Sequence, residues 1–399
     1  MQPSKVNRSP WLVWVYSGNI ANTLDSATWL EVTKEMRNLG WSVDLIVFGP
    51  DGKHMVDGVE VLGFAIPDFY FIRHLFFHLR IIFYILRNWK QIDIVLFHQT
   101  SALWLLPLRL LDPFSSKKHP LFVMDTRTVP MESIEKSSLK DKLRGKFSFL
   151  MNGLANKLSD GQTAITQRMA DLLGIPPQRL WGIWPSSVNI EKFTLAGQNR
   201  RWPEADEPIK LIYIGTLTYE RNLMTFCNTV MEANRRGMDF LFLLYGDGTE
   251  WQELQTFADQ TQGKIKVLKP VPRDKVPEIL ALAHVGILPF PDEDKFRVSS
   301  PIKLFEYMGA GLPILATKIV CHSDVMGSGD YVFWAENSDL DGMLKALEEA
   351  WQKRFSLPSL SQKAWVAAQE WTYVSSSKRL HNALQYGLSI HRERLGTHD

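Results

Sequence analysis

Thirteen residues, Ser299-Ser300-Pro301-Ile302-Lys303-Leu304-Phe305-Glu306-Tyr307-Met308-Gly309-Ala310-Gly311, place a helix start, a lysine and a glutamate between the apolar runs 285–290 and 312–317. Pro after Ser fits the first turn of a helix, with Ser300 as its N-cap. The free N–H groups of that turn carry partial positive charge and Lys303 adds a full one, so the segment suits an anion, a diphosphate above all. Glu306 follows one turn later, where a carboxylate accepts hydrogen bonds from the sugar hydroxyls of a nucleotide. Gly311 then ends the helix. Taken alone, the same residues are better read as ordinary capping beside a solvated glutamate.

A second group lies earlier in the chain. Gly215 closes the apolar run 210–215 and is followed by Thr216-Leu217-Thr218-Tyr219-Glu220-Arg221-Asn222. A glycine there lets backbone approach a ligand, and Arg221 reaches an anion from the start of the next helix. Gly246-Asp247-Gly248 repeats the pattern after FLFLLY, although glycines in such places also serve turn geometry alone. Nearer the N-terminus three strand ends carry polar groups: Gly18 and Asn19, His98, and Asp125 with Arg127. His98 suits either a bound hydroxyl or a satisfied structural role. Asp125 and Arg127 stand at the third of these strand ends.

The elements that must hold these residues alternate strand with helix. WLVWVY, a helix from Asp25 to Leu39, SVDLIVFG, VEVLGF, IDIVLF and PLFVMD read as one parallel sheet with crossovers. After the polar stretch 196–208 the cycle restarts with KLIYIG, a helix over 222–236, FLFLLYG, IKVLKPV, VGILPF, LPILAT and YVFWA. Two doubly wound α/β domains follow, residues 1–195 and 209–372, with 196–208 as linker and ligand loops at the C-terminal strand ends facing a cleft. Residues 373–399 add a C-terminal helix expected to pack toward the first domain.

In this order the segments resemble the second domain of retaining, family-four-type glycosyltransferases with the GT-B fold, and the resemblance covers nearly the whole chain. Trp184-Pro185-Ser186-Ser187-Val188-Asn189-Ile190-Glu191-Lys192-Phe193 is similar to the family's Pro-Asn-Gly-Val-Asp segment, and the Ser-Pro-x-Lys-Leu-x-Glu-Tyr run looks like one of its subgroups. The resemblance puts Gly215 on the glycine of the Gly-Arg-Leu turn, Arg221 on the diphosphate-binding lysine, and Glu306 on the ribose-holding second glutamate of the Glu, seven residues, Glu motif. It implies Arg221, Lys303 and Glu306 as the catalytic set. The donor set it implies is Gly215, Thr216, Gly246, Val271, Ser299, Ser300, Pro301 and Ile302. Gly18, Asn19, His98, Asp125 and Arg127 become acceptor or sugar-contacting candidates. Two positions depart from the family: Val298 stands where the first glutamate falls, and Thr216 where the arginine falls.

Composition narrows the partners. Lys and Arg number 45 against 43 Asp and Glu, so no global field favours nucleic acid. Cys227 and Cys321 lack the spacing of a metal site or a disulfide framework. With no Asp-x-Asp or His-rich cluster, neither a metal nor a cofactor is expected beyond the donor itself. The N-terminus shows no export signal and no run is apolar enough to span a bilayer, which points to the cytoplasm. The segment 69–89, FYFIRHLFFHLRIIFYILRNW, carries Arg73, Arg80 and Arg87 at intervals of seven. It reads as a basic amphipathic helix for a membrane surface, or as a buried helix with snorkelling arginines.

The expected activity is transfer of a sugar from a nucleoside diphosphate sugar to a hydroxyl of a glycan, lipid-linked glycan or other glycoconjugate; retention at the anomeric carbon is what the resemblance implies. A sugar-nucleotide epimerase on the same architecture and a non-catalytic partner subunit are the alternatives, the latter suggested by Val298 and Thr216.

Overall fold

Short uninterrupted runs of Val, Ile, Leu and Phe become strands buried on both faces, as parallel sheets covered by helices require. The computed structural model describes residues 8–20, 26–67, 70–114, 119–129, 139–198 and 200–394. These form two units: the first takes the described residues up to Pro185 and from Tyr373 on, the second Ser186–Thr372. Within the sequence reading, residues 1–7, Asp25, Phe69, Asn199 and 395–399 lie outside the described residues.

The first unit contains β1 (Trp11–Val15), β2 (Ser42–Phe48), β3 (Gly52–Val56), β4 (Val59–Phe64), β5 (Ile94–His98), β6 (Leu121–Thr126), β7 (Gly161–Ala164) and β8 (Leu180–Ile183). Their order is β3-β4-β2-β1-β5-β6-β7-β8, parallel except for the β3–β4 hairpin. Asp57, at φ 46°, and Gly58, at φ 77°, make that hairpin's tight turn. The order reverses at β1, so Gly18, His98 and Asp125 follow or end the neighbouring strands β1, β5 and β6. The C-terminal helix Tyr373–Arg394 packs on this unit, where Tyr373, Leu380, Leu384 and Leu388 join Trp14 and Trp184 in one core.

The second unit contains β9 (Ile209–Ile214), β10 (Phe240–Tyr245), β11 (Ile265–Leu268), β12 (Val285–Leu288), β13 (Ile314–Thr317) and β14 (Val332–Ala335), all parallel, in the order β11-β10-β9-β12-β13-β14. This is the dinucleotide-fold order, in which ligands bind beyond the C-terminal strand ends where the winding reverses, here at β9 and β12.

The boundary between units falls at Pro185–Ser186 rather than in 196–208. Helix Ile190–Gln198 packs on helices of the second unit, and the stretch after it is anchored by Arg200. That guanidinium, 6% exposed, donates to the carbonyls of Ala310 (2.8 Å), Gly311 (2.8 Å) and Leu280 (3.2 Å). Polar composition signals a linker only when the polar groups face water; here one is spent on the C-terminal ends of two helices. Burial holds the guanidinium down to about 10, still charged at neutral pH. Arg200→Met strands those carbonyls, and with roughly 1–3 kcal/mol for each unsatisfied buried group we expect a loss of about 3 kcal/mol in chemical denaturation.

Candidate functional site

The helix Ile302–Gly309 is fixed at both ends and along its inner face. At its C-terminus Gly311 takes φ 61°, Leu312 N–H bonds Tyr307 O (2.8 Å) and Gly311 N–H bonds Met308 O (2.9 Å), a Schellman closure that ends the helix where the glycine predicts. On the inner face Tyr307 is fully buried, its hydroxyl accepting Ile214 N–H (3.2 Å) at the end of β9. A Cβ on Gly286 of β12 would overlap the Tyr307 ring. The ring therefore pins the helix across β9 and β12.

Its N-terminus is open. Ser300 is not the N-cap: Pro301 occupies that position and no side chain caps the helix. The Ser300 hydroxyl instead accepts Ser186 N–H (3.1 Å), while Ser186 Oγ donates to Ser300 O (2.7 Å). Ser299 Oγ donates to Phe296 O (2.8 Å). These bonds hold the 299–300 loop, and with Leu304 N–H donating to Pro301 O (3.1 Å) the N–H groups of Ile302 and Lys303 are left to a ligand.

Three charged side chains gather in front of them. Lys303 lies across Gly215: φ there is 143° and a Cβ would overlap Cε and Nζ of the lysine. The ammonium sits 5.5 Å from the Tyr213 ring centre. Arg221, on the 3₁₀ turn Tyr219–Arg221, stands over Phe290 (5.0 Å) and Phe296 (5.3 Å), rings that stack on each other. Among the described residues neither cation has a hydrogen-bonded carboxylate partner, and Arg221 Nε is buried without an acceptor. Burial first, then the nearby Arg221 charge, holds the Lys303 ammonium down to about 7, with Glu306 opposing. Glu306, half-buried on the same helix face, has its pKa raised by burial against the pull of Lys303 and Arg273. Two cations that no carboxylate of the described residues hydrogen-bonds, beside the start of a helix, form a site suited to an anion.

The remaining donor-set residues occupy adjoining loops. Thr216 O accepts from the Tyr213 hydroxyl (3.0 Å). A Cβ on Gly246 would overlap Gly215 O, so the loops after β9 and β10 touch backbone to backbone. Val271 is half-buried in the loop after β11. Asn222, in the left-handed conformation (φ 59°), donates to Pro289 O (3.2 Å) and Ser338 O (2.6 Å), fixing the turn that carries Arg221. Phe290, Phe296, Ser186 and Tyr307 are site supports to which sequence reasoning assigned no role; the first two are apolar and signal nothing beyond a core.

Val298 is buried at the end of the short helix Asp294–Arg297. The adjoining acidic run is engaged locally, Asp292 and Asp294 with Arg297 and Glu293 with Lys295. Among the described residues no three His, Cys, Asp or Glu side chains gather as a metal site.

The first-unit candidates are a separate group. Gly18 is pressed on the Tyr16 ring and its carbonyl accepts Phe48 N–H (3.1 Å); Asn19 is exposed and His98 half-buried. Asp125 is buried, its Oδ1 accepting from Thr163 (2.6 Å) and Trp184 Nε1 (2.8 Å), and burial raises its pKa. Arg127 lies 3.6 Å above the Trp184 ring and donates to Trp184 O (3.0 Å). Asp125, Arg127 and Trp184 thus make one braced cluster.

The fold matches GT-B structures. Residues 208–353 match the family described as glycosyl transferases group 1. Sucrose-phosphate synthase from Thermosynechococcus elongatus superposes with a TM-score of 0.73 at 13% identity, over 97% of this chain and 100% of that one. The catalytic domain of starch synthase IV from Arabidopsis thaliana, bound to ADP and acarbose, gives 0.68 at 13%, over 96% and 100%. HepE from Anabaena in complex with UDP-glucose gives 0.68 at 12%, over 94% and 99%. No curated protein matches the chain. The neighbours share the two-domain GT-B fold over nearly the whole chain, and the family match falls within the second unit.

Gly215→Ala tests the close approach directly. The methyl group would take the space of the Lys303 side chain on a backbone that L residues rarely adopt. Nucleoside-diphosphate affinity should fall by about tenfold or more, roughly 1.4 kcal/mol, in a calorimetric titration.

Proposed function

We propose that the protein is a retaining, metal-independent glycosyltransferase that takes a sugar from a nucleoside diphosphate sugar to an acceptor hydroxyl. The observation that carries this reading is Lys303, lying across Gly215 at the uncapped start of helix Ile302–Gly309, with the Arg221 charge acting on it and neither cation hydrogen-bonded to a carboxylate among the described residues. Departure of a sugar from its diphosphate leaves negative charge on the leaving oxygens, and preorganised cations and N–H groups lower that barrier without reorganising. Arg221 and Lys303 supply the charge that a metal supplies elsewhere, and Glu306 receives ribose hydroxyls. Gly215, Thr216, Gly246, Val271 and the 299–302 loop line the donor. HepE with UDP-glucose and starch synthase with ADP show such ligands in neighbours of this fold.

The acceptor is a glycan, a lipid-linked glycan or another glycoconjugate, with Gly18, Asn19 and His98 as its nearest contacts and Asp125 with Arg127 supporting them. The site is cytoplasmic in this reading, in keeping with free, buried Cys227 and Cys321. A second reading, a subunit that binds nucleotide without turnover, draws on Val298 in place of a sugar-contacting glutamate. Incubation with a panel of nucleoside diphosphate sugars and a total glycolipid and glycan extract, in the presence of EDTA, separates them. Transfer to a product whose anomeric proton coupling matches the donor's supports the enzyme; nucleotide binding with no transfer from any donor supports the subunit.

A further inference from the structure

Three neighbouring elements of the first unit bury one face in a common core and leave apolar side chains on the other. They are the helix Tyr70–Arg87, the helix Ala102–Leu105 with the 3₁₀ segment Leu106–Phe114, and the helix Leu139–Leu158. The middle helix packs against both of the others, with His78 stacked on Trp104 (5.3 Å). On the first helix Phe77, Ile81 and Ile85 face inward, while Ile72, Leu75, Phe76, Leu79, Phe83 and Leu86 are exposed. Those six recur at helical spacing, a single stripe about 21 Å long at 1.5 Å per residue. Leu103, Leu110 and Leu111 are exposed on the middle element and Leu143, Phe147 and Leu150 on the last, with Phe83 at 68%, Leu110 at 67% and Leu150 at 66%. A stripe of large apolar residues on three adjacent elements exceeds what a monomeric soluble protein ordinarily shows to water.

Charge identifies what covers it. The chain as a whole is close to neutral at +2, yet residues 70–87 hold three arginines and no carboxylate, and residues 139–158 five lysines and arginines with one aspartate. Arg73, Arg80 and Arg87 lie roughly 60–100° round the helix from the stripe. Arg80 is engaged by Asp51 (2.6 Å), while Arg87, Lys90, Arg144 and Lys146 are exposed. An apolar stripe edged by cations matches the boundary between acyl chains and anionic headgroups, into which such faces sink about 5–10 Å. No helix among the described residues is long and apolar enough to cross a membrane, so the contact is with the surface.

We propose that the outer faces of these three elements form one docking surface for a lipid bilayer that carries anionic headgroups. The sequence alone pointed at one helix; the structure adds the middle element and the helix Leu139–Leu158. The surface shares no residue with the donor set, so its test needs no turnover and does not depend on the sugar-transfer reading.

Co-sedimentation with phosphatidylcholine vesicles, with and without phosphatidylglycerol, tests it on the full chain. The unaltered protein should bind the anionic vesicles, and bind less as salt rises. Phe76→Ser with Leu79→Ser and Phe83→Ser, and separately Leu143→Ser with Leu150→Ser, should each lower binding at least tenfold. As a readout that leaves the surface nearly whole, Phe83→Cys carrying an environment-sensitive dye should report an apolar surrounding when anionic vesicles are added; the two native thiols are buried. No binding to anionic vesicles, or equal binding to neutral ones, overturns the proposal. Loss confined to the first variant set overturns the three-element surface, and a concentration-dependent dimer dispersed by the same substitutions assigns the face to a second copy of the chain.

Discussion

Alanine at both Arg221 and Lys303 should lower nucleoside-diphosphate affinity by about 100-fold or more while leaving the fold intact. Each charge-assisted hydrogen bond to a phosphate contributes about 1.5–3 kcal/mol, so losing two removes roughly 3–6 kcal/mol, two to four powers of ten. The usual objection, that removing buried charges disrupts packing, is weak here. Neither cation is hydrogen-bonded to a carboxylate among the described residues, and burial and the Arg221 charge disfavour the Lys303 ammonium more than Glu306 favours it. The thermal midpoint of the double variant should therefore stay level or rise. Lys266→Ala, an exposed lysine on β11, is the matched control and should bind normally.

Nucleoside-diphosphate affinity should also depend on pH through Lys303. In the free protein this ammonium is held down to about 7, whereas a diphosphate beside it favours the protonated form and raises the bound value. Binding is then coupled to proton uptake. Below about pH 7 the lysine is already charged and the contribution is complete. As pH rises above 7 affinity falls by up to about tenfold per unit, until the bound-state value is passed. The phosphate's own second ionisation, near 6, lies outside the window pH 7–9. Lys303→Arg, which keeps its charge throughout, should flatten the profile. Titrations in buffers of different ionisation enthalpy should show a fractional proton taken up at pH 8 in the unaltered protein only.

Much of the second unit was legible because its strands are uninterrupted apolar runs ended by glycine or proline, and the sheet they form buries them on both faces. The same rule hid β7, whose Gly161-Gln162-Thr163-Ala164 is polar yet buried. Gln162 donates to Asn156 (2.8 Å) and Thr163 to Asp125 (2.6 Å), and such long-range pairing leaves no local mark. β3 escaped for the opposite reason, as a largely exposed edge strand whose signal is the Asp57-Gly58 turn. At the site, Gly215, Lys303 and Arg221 were readable as residue types that suit phosphate. The Ser300 cap was not, because a serine before Pro caps a helix only when its hydroxyl turns inward, and here Ser186, 114 positions away, takes it. Arg200 shows the same limit in the stretch that reads as a linker.

The central claim is that the start of helix Ile302–Gly309, with Lys303 and Arg221, binds the diphosphate of a nucleotide sugar. A calorimetric titration of nucleoside diphosphates and their sugars into the unaltered protein and the Arg221→Ala/Lys303→Ala variant tests it most directly. Saturable binding of at least one nucleotide to the unaltered protein, lost in the variant, is the predicted result. Binding of none of them, or binding that survives both substitutions, would contradict it.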